Sequence, residues 1–332
     1  MATGTEKKIQ IPWVEKYRPA TLSDVVSHKS ITSTLTQLIA NQQMPHLMFY
    51  GPPGTGKTST VVAMARDLYG SKNGAPSNYS TMVLELNASD DRGIDTVREQ
   101  IRTFVSSRAI VHDPPYKLVI LDEADSMTST AQFALRRVME KYTSNARFCL
   151  ICNYAGKIIP AIQSRCTKFR FKPLPSTVVR DRTLHVIEQE NLNVSEDAVA
   201  ALVRVAEGDM RKSLNTLQAT AMATRDITST AVYETSGLPS PEVVAELVGC
   251  LMTGGVDAVQ QITSTMTMQG LALSDVIQGI HEVVLNLAID GTVKAVLCKD
   301  LATIEDNVLH ACDEQLQVGG LVAAFIQARA ML

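Results

Sequence analysis

The stretch GPPGTGKTS, residues 51–59, decides how the rest of the chain is read. It carries the spacing G-x-x-x-x-G-K-[ST] at Gly51, Gly56, Lys57 and Thr58. Glycines let backbone N–H groups approach phosphate oxygens, because no Cβ stands in the way. A helix starting just beyond the loop adds unpaired N–H donors and the positive end of its dipole. Gly51, Pro52, Pro53, Gly54, Thr55, Gly56, Lys57, Thr58 and Ser59 are therefore read as a cradle for a nucleoside triphosphate. In such a cradle Lys57 reaches the β and γ phosphates, and the Thr58 hydroxyl coordinates Mg2+.

The flanking residues supply the strand and helix that such a loop needs. HLMFY (46–50) is a short apolar run, and after the loop Val61, Val62, Ala65 and Leu68 recur at helical spacing until Gly70. SKNGAPSNYS (71–80) is polar and turn-rich. TMVLELN (81–87) predicts a second strand, followed by a helix from near Asp90 and Asp91 to about Val105. KLVILDEAD (117–125) predicts a third strand, TAQFALRRVMEKY (130–142) a helix and ARFCLICN (146–153) a fourth strand. Alternating helices and continuously apolar strands imply an α/β fold: a parallel sheet with helices on both faces.

The third strand ends in LDEAD. A carboxylate at Asp122 would meet the metal opposite Thr58. Glu123, one residue on, points elsewhere and is placed to orient and deprotonate a water. Asn153 ends the fourth strand, either beside the γ-phosphate or as an ordinary turn residue.

From Pro173 onward helical periodicity takes over and strands are no longer expected. Ser195 caps a helix with Glu196 and Asp197 in its first turn; another begins at Asp209, and LPSP (238–241) marks a further break. These shifts place boundaries near 172 and 236, giving residues 1–172, 173–236 and 237–332.

Composition narrows the classes. A net charge of −3 over 332 residues argues against a surface that coats nucleic acid throughout, though not against a local basic strip. The six cysteines are scattered, which suits a reducing compartment. Neither a signal peptide nor a window of membrane-span length is recognisable, so a cytosolic or nuclear protein is expected. Cys149 and Cys152 lie three apart within a strand and face opposite ways, so a zinc site with Cys166 is set aside for buried apolar roles.

Taken in order, WVEKYRPATLSDVV, GPPGTGKTS, ELNASDDRGID, LDEAD, FCLICNYAGKIIPAIQSRC and GDMRKSLN resemble the small subunits of replication factor C, the sliding-clamp loader of the AAA+ ATPases. NYAGK and CTKFRFKPLP resemble one subunit group of that family most. The resemblance is strong over roughly residues 11–235. It implies an AAA+ nucleotide-binding domain, a helical lid over 173–236 and a helical collar over 237–332. It implies ATP and Mg2+ as cofactors, with Val14 and Arg18 lining the adenine pocket. Asn153 becomes the sensor of the γ-phosphate, Arg211 a second sensor from the lid, and Arg165 an arginine finger reaching a neighbouring subunit's site. Arg92, Arg98 and Lys157 fall where the family presents cations to DNA. The implied partners are the other subunits of a hetero-pentamer, the PCNA sliding clamp and primer–template DNA, in the nucleus and without a membrane.

The residues themselves are compatible with these roles. Arg165 follows a short helix after Pro160 and precedes the strand-like KFRF, so it lies on a loop ill placed to fold back to Gly51. Read alone, Arg165, Arg92 and Arg98 are equally ordinary surface cations. FVSSRAIVHDPP (104–115), with Ile110 and Val111, reads either as the clamp contact or as an ordinary loop with two buried apolar residues. The alternatives are a helicase, because DEAD also occurs there, and a scaffold subunit that binds ATP without needing to hydrolyse it. Helical character after 173 opposes the first; the presence of Lys57, Asp122 and Glu123 together opposes the second.

Overall fold

The computed structural model of the chain describes residues 11–70, 78–89, 94–107, 116–310 and 313–331. The chain divides into two compact units, Met1–Asn191 with Ala206–Gln218, and Leu192–Val205 with Ala219–Leu332.

The first unit is built on a parallel sheet. Among the described residues its strands are β1 His46–Tyr50, β2 Val83–Asn87, β3 Lys117–Asp122, β4 Ala146–Cys152 and β5 Cys166–Arg170. They lie in the order β2-β3-β4-β1-β5, every neighbouring pair parallel. The chain therefore leaves β1, crosses over β4 and β3 to the far edge, and works back. That reversal leaves a crevice beyond the carboxyl ends of the strands, the place where open α/β sheets bind ligands. Gly51 follows β1, Asp122 ends β3 and Asn153 follows β4, so the topology alone gathers the three sequence motifs.

Side-chain alternation splits the core in two. Leu47, Phe49, Leu118, Ile120, Cys149 and Ile151 pack on one face with Val61 and Met64 of the helix Lys57–Tyr69. Met48, Val119, Leu121, Phe148, Leu150 and Cys152 pack on the other with Leu135 and Met139 of the helix Ser129–Lys141. Cys149 and Cys152 thus sit in different cores, as a period of two requires.

Two expectations need correction. TMVLELN is not strand throughout: Tyr79–Met82 is a helical turn, and pairing begins at Val83 opposite Leu118. Strands also do not end at Pro173. In the second unit Asn193–Val194 pairs in parallel with Asp226–Ile227, braced by Asn193 Nδ2 donating to Asp226 Oδ1 at 2.7 Å. A two-residue strand has no period for a sequence pattern to reveal.

His46, at the start of β1, is buried, and its Nδ1 accepts the Phe148 N–H at 3.2 Å. Burial pulls its pKa from 6.5 down to about 4, helped by the nearby Arg147 charge. The folded state therefore holds His46 neutral while the unfolded chain takes up a proton below about 6.5. Its stabilising contribution is complete above that pH and is lost as pH falls toward 4. Between pH 7 and pH 5 the loss is roughly 2 kcal/mol. His46→Asn is expected to remove that share of the acid sensitivity, measured by urea unfolding followed through Trp13, the single tryptophan of the chain. Equal acid sensitivity in variant and wild type would refute the assignment.

The second unit is helical among its described residues apart from that strand pair. Pro241–Thr253, Ala258–Gln269, Leu273–Asn286, Gly291–Leu309 and Glu314–Ala330 enclose one apolar cluster around Leu247, Ile262, Ile280, Leu297, Leu321 and Phe325. Ser240, Asp290 and Asp313 cap three of these helices with side-chain oxygens. Gly279 lets two helices touch: a Cβ there would come within 2.9 Å of Val244 Cγ2. No helix among the described residues is long and apolar enough to cross a membrane.

Candidate functional site

The loop after β1 is shaped by glycine. Gly51, Gly54 and Gly56 have φ of 145°, 63° and 91°, in the region that side chains oppose. Gly54 is doubly required, because a Cβ there would lie 1.5 Å from Asp209 Oδ1. Asp209 itself caps the helix Met210–Ala223, accepting the N–H groups of Arg211 (2.8 Å) and Lys212 (3.1 Å). The Met210 N–H donates to Gly54 O at 3.2 Å, so this helix start is anchored directly on the loop.

Lys57 opens the next helix and is buried. Its ammonium donates to Gly51 O and Pro52 O, both at 2.7 Å, and to Asn153 Oδ1 at 3.0 Å. Burial lowers its pKa, opposed by the charge of Asp122. Thr58 Oγ1 donates to Asp122 Oδ2 at 2.8 Å. Two hard oxygen ligands from different elements thus converge on one point, the donor set Mg2+ prefers. Glu123 is exposed at the rim, held at φ 52° with its N–H donating to Asp122 Oδ1 at 2.9 Å.

One cavity collects these groups. Val14, Arg18, Pro53, Gly54, Thr55, Gly56, Lys57, Thr58, Ser59, Asp122, Glu123, Asn153 and Arg211 all line it. Gly51 and Pro52 do not; they take part through the carbonyls that hold Lys57. Arg18 Nε is buried with no hydrogen-bond partner, while its Nη2 pairs with Glu15. A buried donor without a partner at one end, and glycine N–H groups with a lysine at the other, suit a base and a triphosphate.

Several contributors were not legible in the sequence. Asp125, the last acid of LDEAD, accepts the N–H groups of Asn153 (3.3 Å) and Tyr154 (3.2 Å), fixing the end of β4. Tyr17, Val25, Val178 and Arg182 also line the cavity. Asp125 lay within LDEAD, and Tyr17 and Val25 within WVEKYRPATLSDVV, without a role being read for them; Val178 and Arg182 lay in no motif and need the tertiary arrangement.

Other expected residues lie elsewhere. Arg165 does not line the cavity: it pairs with Glu140, which also binds Arg136, and donates to Ala161 O at 2.6 Å. Lys157 is exposed with its ammonium 5.3 Å from the Tyr154 ring centre, while its carbonyl accepts from the buried Gln132 at 2.9 Å. Arg92, Ile110 and Val111 lie outside the described residues, and Arg98 falls on the helix Ile94–Ser106 with its side chain outside them.

Comparison with known proteins places the chain in a family. Residues 47–174 match the model of the ATPase family associated with various cellular activities, and 239–324 the replication factor C C-terminal domain. Replication factor C subunit 3 of Schizosaccharomyces pombe is 50% identical over 95% of this chain and 90% of its own. The chain belongs to the replication factor C family. Replication factor C subunit 5 of Homo sapiens is 47% identical, covering 97% of this chain and 93% of that one. Subunit 3 of Saccharomyces cerevisiae is 45% identical, covering 98% and 96%. These names match the subunit group, numbered 5 in animals and 3 in fungi, that NYAGK and CTKFRFKPLP resemble. A solved structure, the Thermotoga maritima RuvB Holliday junction branch migration motor, shares the fold with TM-score 0.53 at 13% identity, covering 83% of this chain and 93% of that one. For a replication factor C chain the sheet, its flanking helices and the helical C-terminal region are those expected. The helicase reading of DEAD gives way to the family.

Proposed function

We propose that this chain is an ATP-hydrolysing subunit of a nuclear, hetero-pentameric clamp loader that opens the PCNA sliding clamp and loads it on primer–template DNA. The observation that carries the reading is a complete hydrolytic set in one cavity: Lys57, the Thr58–Asp122 pair at 2.8 Å, and Glu123 at the rim. A subunit kept only for binding would have no need of Glu123.

The geometry supports the following division of labour. Val14 and Arg18 wall the base, and the Gly54–Ser59 backbone with Lys57 takes the phosphates. Thr58 and Asp122 would hold Mg2+, which neutralises charge on the phosphates. Glu123 orients a water toward the γ-phosphorus and takes its proton as the bond to the β-bridging oxygen breaks, leaving ADP and phosphate. Asn153, steadied by Asp125, holds that water or a γ oxygen, and Arg211 approaches the phosphates from the helical segment.

Arg165 acts in trans. Its guanidinium is away from its own cavity and about a third exposed, available to a neighbouring subunit's triphosphate. ATP bound next door would then tighten the subunit contact, since an arginine fork pairs well with phosphate. The proposed parts are a nucleotide-binding domain over 1–172, a lid over 173–236 and a collar over 237–332, supported by family matches that end at 174 and begin again at 239. Arg92, Arg98 and Lys157 are assigned to the DNA backbone, and the 104–115 segment to the clamp.

The test is Arg165→Ala in the reconstituted complex. ATP binding by the substituted chain should be unchanged, while turnover at the adjacent site falls about 10³-fold, the scale of an arginine finger. Loss of binding in the substituted chain, with the neighbour's turnover intact, would overturn the trans role.

A further inference from the structure

The base end of the cavity has an anchoring problem. Its outer wall is Val14, Tyr17 and Arg18. These residues lie on or beside the short helix Trp13–Lys16, which buries no side chain. No fully buried apolar side chain therefore anchors this wall, as Leu22 and Val25 anchor the chain a few residues later. What holds it is a set of polar tethers to helices distant in sequence. Lys16 Nζ and the Tyr17 hydroxyl both donate to Glu190 Oε1 at 2.6 Å. Arg182 Nη2 donates to Tyr17 O at 2.8 Å, and the Trp13 N–H donates to Gln218 Oε1 at 3.0 Å.

We propose that Glu190 is the positioning residue of the base wall: by gripping Lys16 and Tyr17 at once it holds Val14 and Arg18 against the adenine, and so sets affinity for ATP. Glu190 is the last residue of the helix Ser176–Glu190 and belongs to no nucleotide motif. Its carboxylate is largely shielded, with 18% of the side chain exposed, so the two donors meet it at reduced solvent competition. Lys16, and then Tyr17, hold the Glu190 pKa below the usual carboxylate range, and burial with the same contact raises that of Tyr17. Both partners thus stay in their pairing forms at neutral pH. His185, on the same helix, meets the Tyr17 ring edge-on at 6.4 Å. Removing the carboxylate leaves the wall on the Arg182 and Gln218 hydrogen bonds and the His185 edge contact, free to swing from the base, while the phosphate cradle on the sheet is untouched.

This inference rests on the ATP reading of the site, and the experiment separates the two. Full-length Glu190→Ala is titrated with a fluorescent ATP analogue and, in competition, with inorganic tripolyphosphate, which has phosphates but no base. ATP affinity should fall about tenfold, the scale of losing a charged hydrogen bond, while tripolyphosphate competes as in wild type. In the assembled complex KM should rise by a similar factor with kcat within about twofold. Tyr17→Phe should lose about threefold, and the double variant should be no weaker than Glu190→Ala, because both remove one interaction. Wild-type ATP affinity in Glu190→Ala, or equal loss of ATP and tripolyphosphate, overturns the proposal. Should Glu190→Ala not fold, Tyr17→Phe and Lys16→Met carry the same comparison, and unchanged ATP affinity in both is the refuting result. Lys57→Ala is the control for the site itself: if it still binds ATP, the cavity is misassigned and the failure is not that of Glu190.

Discussion

Lys57→Ala is expected to abolish nucleotide binding, weakening affinity for a fluorescent ATP analogue at least about 100-fold. The ammonium is buried and already makes three hydrogen bonds, to Gly51 O, Pro52 O and Asn153 Oδ1. Burial lowers its pKa, so charge is held there at some cost to the fold. A triphosphate compensates that charge with oxygens of opposite sign, where the loop offers only neutral carbonyls. Charge-assisted hydrogen bonds are worth about 1.5–3 kcal/mol each, and losing two accounts for a factor of about 100 or more. Alanine also unlinks the loop from Asn153 at the end of β4, so any residual site would lose its register between the two strands. Lys57→Met separates charge from bulk: it keeps the side-chain volume and should bind nucleotide as poorly as alanine. Retained affinity in Lys57→Met would mean that the ammonium does not meet phosphate.

Glu123→Gln is expected to leave ATP affinity within about twofold and to cut turnover by roughly 10²–10⁴, the range for loss of a general base. The backbone argues that this side chain is placed at a cost. Glu123 has φ 52°, a conformation opposed by any Cβ, yet it is not glycine. The turn that follows locks it there: Glu123 O accepts from Ser126 N at 2.9 Å and from Ser126 Oγ at 2.7 Å. Strain of about 1–3 kcal/mol is tolerated where the side chain is needed. Glu123→Gly should therefore raise the melting temperature slightly while losing turnover as fully as Glu123→Gln. Single-turnover hydrolysis in the assembled complex with primed DNA is the measurement. Wild-type turnover in either variant would remove Glu123 from the reaction.

What was legible, and what was not, divides along physical lines. The motif residues carried their own reasons. Glycine at positions that need positive φ, a lysine at a helix start and an acid ending an apolar strand are local requirements, and local requirements are written in local sequence. The sheet was visible for the same cause, since each buried strand must be apolar over its own few residues. The expected helix starts at Ser195 and Asp209 agree with the observed helices, because each residue caps its helix with a side-chain oxygen, Ser195 on Ala198 and Asp209 on Arg211 and Lys212.

The site was only partly legible. Asp125 stood inside LDEAD without its role being apparent, because its partners, the Asn153 and Tyr154 amides, arrive from another strand. Arg182 and Glu190 showed no pattern, and Tyr17, though inside WVEKYRPATLSDVV, gave no sign of its partners, for their meeting joins residues more than 160 positions apart.

The sequence by itself determined the α/β class, the glycine loop after the first strand, the acids ending the third and the family, because each depends on residues a few positions apart or on motifs in a fixed order. The tertiary structure alone decided the strand order that brings β1 between β4 and β5. It also decided the direct seat of the Met210 helix on Gly54, and the polar tethers from Glu190 to Lys16 and Tyr17. Hydrogen bonds between distant segments depend on where folding delivers each group, and no periodicity along the chain encodes that delivery.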